Sequence, residues 1–300
     1  MAEPAVVDCH HHLYDLDKHT YPWMEADPLY DTFIGDYRPI CRNYLLEDYV
    51  ADASSAGVTK SVHVQADFDP SNPAGETAWL QEIADEHGFP HGIVAFANLA
   101  EPSVGNLLEA HASFVNTRGI RQNLNWDEAD PSRSFADRGD YLTDKAWWEG
   151  FSLLERFCMS FDLQVLPHQM PDAAAVVAAH PGTLVVINHA GLPLDRTPEA
   201  MDVWRSGMRL LASLPNTAVK LSGFAMTDHN WSVERIRPLV LKTIDLFGVD
   251  SCMFGSNFPV DGLYADYGEL FSAYREITAE FGAAEQDALF GGNAERFYRL

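Results

Sequence analysis

The chain has 300 residues, of which 47% are hydrophobic, and this is enough for one large α/β domain or two smaller ones. The formal net charge of −24 disfavours binding to nucleic acids or to anionic lipid surfaces. No run approaches the roughly 20 apolar residues of a membrane span, and no basic, apolar leader begins the sequence, so we expect a cytoplasmic protein.

Strand-like and helix-like patterns alternate along the whole sequence. Apolar runs predict eight strands, at residues 5–10, 59–65, 92–98, 117–124, 160–166, 183–188, 217–222 and 252–256. Apolar residues at helical spacing predict helices at residues 44–55, 76–86, 103–114, 145–157, 172–179, 199–214, 233–247, 266–281 and 284–299. These alternations predict an α/β protein with one domain over residues 1–300, a (β/α)8 TIM-like barrel.

An open, doubly wound sheet is the alternative fold, but no G-x-G-x-x-G follows the first predicted strand. The longest irregular segments, residues 13–42 and 125–144, would follow strands on the catalytic face of a barrel. Loops of this length usually serve as lids or pocket walls, so we expect them to surround the site.

Two histidines at the end of the first predicted strand are the first candidate site residues, in the run Asp8-Cys9-His10-His11-His12. Side chains alternate between the faces of a strand, so we expect His10 and His12 on one face and Cys9 and His11 on the other. Two imidazoles side by side suit a divalent metal ion or a polarised carbonyl. Ordinary strand-end histidines are the structural alternative.

Two later strands also end in polar residues and turn formers. They lead into Asn188-His189-Ala190-Gly191 and Gly255-Ser256-Asn257-Phe258-Pro259. The carboxyl ends of barrel strands meet on one face, so the three strand ends predict one active site. His168, after the fifth predicted strand, is a further candidate metal ligand; for both His168 and His189 a purely structural role is the alternative.

The sequence resembles the amidohydrolase superfamily, and more narrowly its lactonase group, which includes sugar-lactone and pyrone-dicarboxylate lactonases. The resemblance rests on motifs that span nearly the whole chain: VDCHHH (7–12), YPW (21–23), VHVQA (62–66), ETAWL (76–80), GIR (119–121), NHAG (188–191), VKLSG (219–223), FGSNFPV (254–260) and NAERFY (293–298).

The resemblance implies a barrel with His10 and His12 at the end of strand one and His189 at the end of strand six. In the family an aspartate at the end of strand eight usually holds and deprotonates the attacking water. Here that position is Asn257, and an amide has no useful basicity. Asp261, four residues later, is the nearest carboxylate. We therefore expect His189, Asn257 and Asp261 to be the catalytic residues, with either His189 or Asp261 assisting proton transfer.

The leading hypothesis is a hydrolase that opens a small polar or carboxylated lactone by attack of water on the ester carbonyl. His10, His12, His189 and His168 are the candidate ligands of one divalent, zinc-like metal ion, and a site that needs no cofactor is the alternative. Arg121 is a candidate for binding a substrate carboxylate, with barrel-wall pairing as its alternative. The aromatic candidates for substrate contact, each of which could instead anchor a loop, are Tyr21, Trp23 and Trp126.

Two other functions fit the same sequence. One is a decarboxylase or lactone isomerase on the same barrel, because a fold does not determine the chemistry. The other is a barrel that binds its ligand but has lost turnover through the asparagine at position 257. In all three cases the expected partner is a small molecule, and the sequence leaves open whether the chain forms a homo-oligomer.

Overall fold

The computed structural model describes residues 5–300 and confirms the predicted (β/α)8 barrel. Eight parallel strands pair in chain order, each with the next. They are Val6–His11 (β1), Val58–Val64 (β2), Gly92–Phe96 (β3), Thr117–Asn123 (β4), Ser160–Gln164 (β5), Val185–Ile187 (β6), Thr217–Leu221 (β7) and Cys252–Phe254 (β8).

The barrel closes between β1 and the segment that follows β8. The backbone N–H of Asn257 donates to the carbonyl of His10 over 2.7 Å, and that of His12 donates to the carbonyl of Phe258 over 2.8 Å. The buried carboxylate of Asp8 reinforces this closure, because it accepts hydrogen bonds from the N–H and the hydroxyl of Ser256 over 2.8 and 2.7 Å. The closure places the residues after β8 beside the histidines of β1.

Helices cover the outside of the barrel. The α-helices are Pro22–Glu25 (α1), Leu46–Ala53 (α2), Pro73–His87 (α3), Val104–Ala112 (α4), Lys145–Ser152 (α5), Met170–Ala179 (α6), Pro198–Ala212 (α7), Phe224–Thr227 (α8), Val233–Phe247 (α9), Tyr267–Ile277 (α10), Ala283–Asp287 (α11) and Asn293–Tyr298 (α12). The short helices α1 and α8 were not predicted, and the predicted helix at 284–299 is divided by a π-helical turn at Ala288–Gly292. None of the helices within residues 5–300 is long and apolar enough to cross a membrane.

The barrel interior has an apolar lower half and a polar upper half. Valines of β1, β2, β3 and β6 form the lower part with Met253, and Tyr298 of α12 packs against it. Higher in the barrel, Lys220 of β7 pairs with Asp162 of β5 over 2.6 Å, with neither side chain exposed, and the hydroxyl of Tyr298 also donates to Asp162. The pair of Lys220 and Asp162 lies beneath the histidines in the barrel interior.

The pattern of side chains along β1 departs from strict alternation. The pairing of β1 with β2 shifts register between Asp8 and His11, which is a β-bulge or similar irregularity. Cys9 therefore lies with the interior valines, and His10 also lies inside, next to Lys220. His11 points to the helix layer, where its ring stacks on Tyr49 of α2 at 4.0 Å. The expected opposition of His10 and His11 is observed, whereas the expectation that Cys9 lies with His11 is not met.

Candidate active site

Three of the predicted histidines meet at the carboxyl end of the barrel. The ring centroid of His10 lies 5.1 Å from that of His12 and 4.5 Å from that of His189. Asn188 and His189 follow the short strand β6, and His189 has a left-handed φ of +52°. The structure thus brings His189 together with two histidines that precede it by 179 and 177 positions, which is the convergence that the strand ends predicted.

Hydrogen bonds define which ring nitrogen of each histidine is free. Nδ1 of His12 lies 2.7 Å from the carbonyl of Val64, and because a carbonyl only accepts, Nδ1 carries the proton. The Nε2 of neutral His12 is therefore an acceptor. In His10 the ammonium of Lys220 donates to Nδ1 over 3.5 Å, which leaves the proton on Nε2. This Nε2 is buried and has no hydrogen-bond partner within residues 5–300.

The site keeps its imidazoles neutral. Burial lowers the pKa of His10, His12 and His189 well below the ordinary value of histidine. The positive charge of Arg121 lowers all three pKa values further, and that of Lys220 lowers those of His10 and His189. The three rings can therefore exchange hydrogen bonds with a substrate at neutral pH but are poor proton acceptors.

Arg121 brings a buried positive charge to the same site. It lies on β4, is 4% exposed, and donates from one NH2 group to the side chain of Gln164 and from the other to the carbonyl of Gln65. Its Nε has no partner, and no carboxylate within residues 5–300 forms an ion pair with it. A guanidinium held in this way is suited to a negatively charged oxygen of a ligand.

Asn257 and Asp261 take different positions after β8. Asn257, with a left-handed φ of +56°, lines the cavity. Asp261 is completely buried behind it and accepts hydrogen bonds from the side chain of Asn257 and from the N–H groups of Ala225 and Met226. Burial raises the pKa of Asp261 to about 7. Asp261 is not among the residues that line the cavity.

A cavity of about 910 Å³ opens above the histidines. Its floor includes His12, Arg121, His189 and Asn257, and the residues after β1 and β4 form much of its wall, as expected for long catalytic-face loops. The aromatic side chains on its walls include Trp23, Phe68, Phe96 and Phe135. The cavity therefore combines a polar, positively charged floor with apolar walls.

The remaining predicted residues lie at different distances from this cavity. Trp23 lines it and donates its indole N–H to the carbonyl of Ala66 over 2.9 Å. Tyr21 is fully buried beside Tyr14 and Phe68, and neither it nor Trp126 lines the cavity. His168 is exposed on a turn at Pro167–Gln169 and is not brought together with the other histidines.

The structure also places residues at the site that the sequence did not single out. Asn123 and Gln164 line the cavity from β4 and β5, and Asp67 lines it from the loop after β2. The period of two along β4 puts Asn123 on the same face as Arg121, so the sequence carried a signal for it. Asp67 lies three residues after the end of β2, whereas His12 and His189 lie one and two residues after the ends of their strands.

The donor set does not fit a zinc centre as it is placed. Within residues 5–300 no group of three His, Cys, Asp or Glu side chains is arranged to hold a metal ion. The hydrogen bond from Lys220 leaves a proton on Nε2 of His10, and a protonated ring nitrogen has no lone pair to give to a metal. The charges of Lys220 and Arg121 also repel a cation from this position.

Comparisons with known proteins agree with this fold. A family model described as amidohydrolase matches residues 7–300. The chain is 42% identical, over all of both chains, to an uncharacterized protein y4mH of Sinorhizobium fredii. It is 32% identical to a protein of Burkholderia multivorans named L-fucono-1,5-lactonase, over 98% of this chain and 96% of that one.

Several solved structures are similar over nearly the whole length. Among them is an amidohydrolase from Burkholderia multivorans with bound zinc, 29% identical over 99% of both chains, with a TM-score of 0.81. The chain belongs to the amidohydrolase family, which confirms the resemblance predicted from the sequence motifs. It is an enzyme of the hydrolase class that acts on small molecules.

Proposed function

We propose that this amidohydrolase opens a small polar or carboxylated lactone by adding water to the ester carbonyl. The observation that carries the proposal is the convergence of His12, His189 and Arg121 on the floor of one cavity. The similarity to the Burkholderia multivorans protein named L-fucono-1,5-lactonase supports a cyclic ester as the substrate. Hydrolysis of an ester needs charge stabilisation at the carbonyl oxygen and a positioned water, and this floor offers groups for both.

Arg121 is assigned to the negatively charged oxygens of the substrate. Its charge is buried and forms no ion pair with a carboxylate among residues 5–300, so a substrate carboxylate or the oxygen of the transition state gains a strong, charge-assisted hydrogen bond there. The bonds to Gln164 and Gln65 hold the guanidinium in position before the substrate arrives. Such preorganisation lowers the cost of stabilising new charge.

Asn257 is assigned to the attacking water. Its side-chain NH2 group donates to Oδ1 of Asp261 over 2.9 Å. The amide oxygen is therefore the group available to a water in the cavity. An amide oxygen accepts a hydrogen bond but does not take the proton. Asp261 then acts as a positioning residue, because it fixes the orientation of Asn257 from behind.

The two cavity histidines are assigned to hydrogen bonding. Nε2 of His12 accepts from a substrate hydroxyl or from the water, as its proton lies on Nδ1. His189 is held by the hydroxyl of Ser222, 3.1 Å from Nδ1, and presents its other nitrogen to the cavity. Trp23 and Phe135 on the walls exclude water from the rest of the substrate ring. No step in this scheme uses a metal ion.

A three-part experiment tests the proposal. The purified protein is assayed against sugar lactones and carboxylated lactones, its thermal shift is measured with the same compounds, and its metal content is determined before and after treatment with a chelator. We expect turnover that survives chelation. A thermal shift without turnover would instead indicate a binding protein, and release of CO2 or an isomeric lactone would indicate the other enzymatic alternatives.

A further inference from the structure

We propose that Asp67 is the general base that deprotonates the attacking water in this chain. The inference rests on the proposed hydrolysis of a lactone and assigns a catalytic residue to it. The hydrolysis needs a proton acceptor in the cavity, whereas Asn257 has no basicity and Asp261 lies buried behind it.

The position of Asp67 suits this role. It lies in the loop just after β2, at the catalytic end of the barrel, and its side chain is exposed to the cavity. Its φ is +54°, a left-handed conformation that an aspartate adopts at some cost in free energy. His189 and Asn257 share this conformation and also follow strands, so three residues of the cavity are held in the same unusual way.

Hydrogen bonds hold the carboxylate of Asp67 in place. The side-chain amide of Asn123 donates to its two oxygens over 3.3 and 3.1 Å. Across the described part of the chain, residues 5–300, no lysine, arginine or histidine forms an ion pair with it. Each carboxylate oxygen accepts more than one hydrogen bond, so capacity remains for a water molecule.

The other carboxylates of the cavity are less suitable. Asp31, Asp130 and Asp137 belong to the segments that cover the cavity and not to the ends of the strands. Asp130 already accepts a hydrogen bond from the hydroxyl of Ser132 and forms an ion pair with Arg133. Asp137 accepts a hydrogen bond from the hydroxyl of Tyr141. Of these four carboxylates, Asp67 is bound by Asn123 of β4 and acted on by the charge of Arg121.

Burial and neighbouring charge act in opposite directions on the pKa of Asp67. Burial among protein atoms raises its pKa, and the guanidinium of Arg121 opposes this increase. The nearby carboxyl of Glu76 has a pKa of about 8, so it is mostly protonated at neutral pH and adds little negative charge. It accepts a hydrogen bond from the N–H of Ala66 and so anchors the backbone next to Asp67.

The proton and electron pairs balance in two steps. The water oxygen forms a bond to the carbonyl carbon while one of its protons passes to the carboxylate of Asp67, and the carbonyl π electrons move to the oxygen. When the carbonyl re-forms, the ring C–O bond breaks and its electron pair goes to the leaving oxygen. That oxygen takes the proton back from Asp67, which leaves a hydroxy acid and the original carboxylate.

The test compares wild type with Asp67→Asn, Asp67→Gly and the matched control Asp69→Asn on the best lactone substrate. Asparagine and glycine both tolerate a positive φ, so these variants should fold, as circular dichroism and thermal unfolding will show. Asp69 lies in the same loop, is not a cavity residue, and binds the N–H of Ser71 through an oxygen that asparagine retains.

We expect Asp67→Asn to lower kcat by roughly 10²–10⁴-fold with little change in KM, and to abolish the acidic limb of the kcat–pH profile. Added formate should restore part of the activity of Asp67→Gly, and Asp69→Asn should match wild type. A kcat within threefold of wild type, or a change confined to KM, would overturn the assignment while leaving the proposed function intact. An inactive wild type would instead contradict the proposed function itself.

Discussion

Asn257 donates its side-chain amide to Oδ1 of Asp261 across 2.9 Å, so the residue that faces the cavity is an amide and the carboxylate lies behind it. The pKa of Asp261 is already raised to about 7 by burial. A second carboxylate at position 257 would therefore have to share a proton with Asp261.

Asn257→Asp should make the folding stability more dependent on pH. A carboxyl whose folded pKa exceeds its unfolded value of about 4 destabilises the fold progressively as the pH rises toward the folded pKa. Relative to wild type, the variant should therefore lose more free energy of unfolding at pH 9 than at pH 5. The difference should be about 1.4 kcal/mol for each unit by which the pKa of the shared proton exceeds that of Asp261 alone. Thermal unfolding at the two pH values measures this, and equal losses at both would contradict it.

Arg121→Gln should lower kcat/KM for a carboxylated lactone by roughly 30- to 150-fold, which corresponds to the loss of about 2–3 kcal/mol of charge-assisted binding. The loss should be smaller for a neutral lactone of similar shape. Arg118, three residues earlier on β4, donates to the carbonyls of Val115 and Thr117, so Arg118→Gln is the matched control. Steady-state kinetics give kcat/KM for both lactones. An equal loss of kcat/KM for the two would argue that Arg121 does not bind the substrate carboxylate.

Lys220→Met should destabilise the fold by about 3–5 kcal/mol, because it leaves the fully buried Asp162 without its counter-charge. Lys242 forms a surface pair with Asp245, and Lys242→Met should change the stability far less than Lys220→Met does. Denaturant unfolding of the two variants gives the comparison. A Lys220→Met protein as stable as the surface variant would show that the interior pair is not needed to balance charge.

The histidine tautomers are accessible to nitrogen NMR. We expect His12 to be neutral at pH 6 with its proton on Nδ1, since Val64 accepts from that atom. His10 should be neutral with its proton on Nε2, since Lys220 donates to Nδ1. Two-bond proton–nitrogen correlation spectra distinguish the two forms. A proton on Nδ1 of His10 would remove the main obstacle to metal binding at this residue.

The sequence predicted the barrel well because its evidence is local. Each strand is an apolar run, each helix has apolar residues at helical spacing, and their alternation leaves few arrangements. The strand boundaries were less accurate: β6 and β8 have only three residues, since the chain leaves the sheet before the polar site residues begin. The convergence of His10, His12 and His189 was likewise predictable from their places at strand ends.

Other parts of the site depend on contacts that no local pattern records. The register shift in β1, which turns both Cys9 and His10 inward, arises from pairing with β2. His168 had a suitable place in the sequence, but the turn at Pro167–Gln169 exposes it to solvent. Loop packing determines that Asp67 faces the cavity and that Asp261 is buried. The sequence records neither fact, so it favoured Asp261, the carboxylate nearest to Asn257 along the chain.

The central claim is that water is added to the carbonyl carbon of a lactone. Hydrolysis of the best lactone substrate in water enriched in oxygen-18, followed by mass spectrometry of the product, tests it most directly. The account predicts one oxygen-18 atom in the new carboxylate and none in the new hydroxyl group. Label in the hydroxyl group, or a product formed without any label, would contradict it.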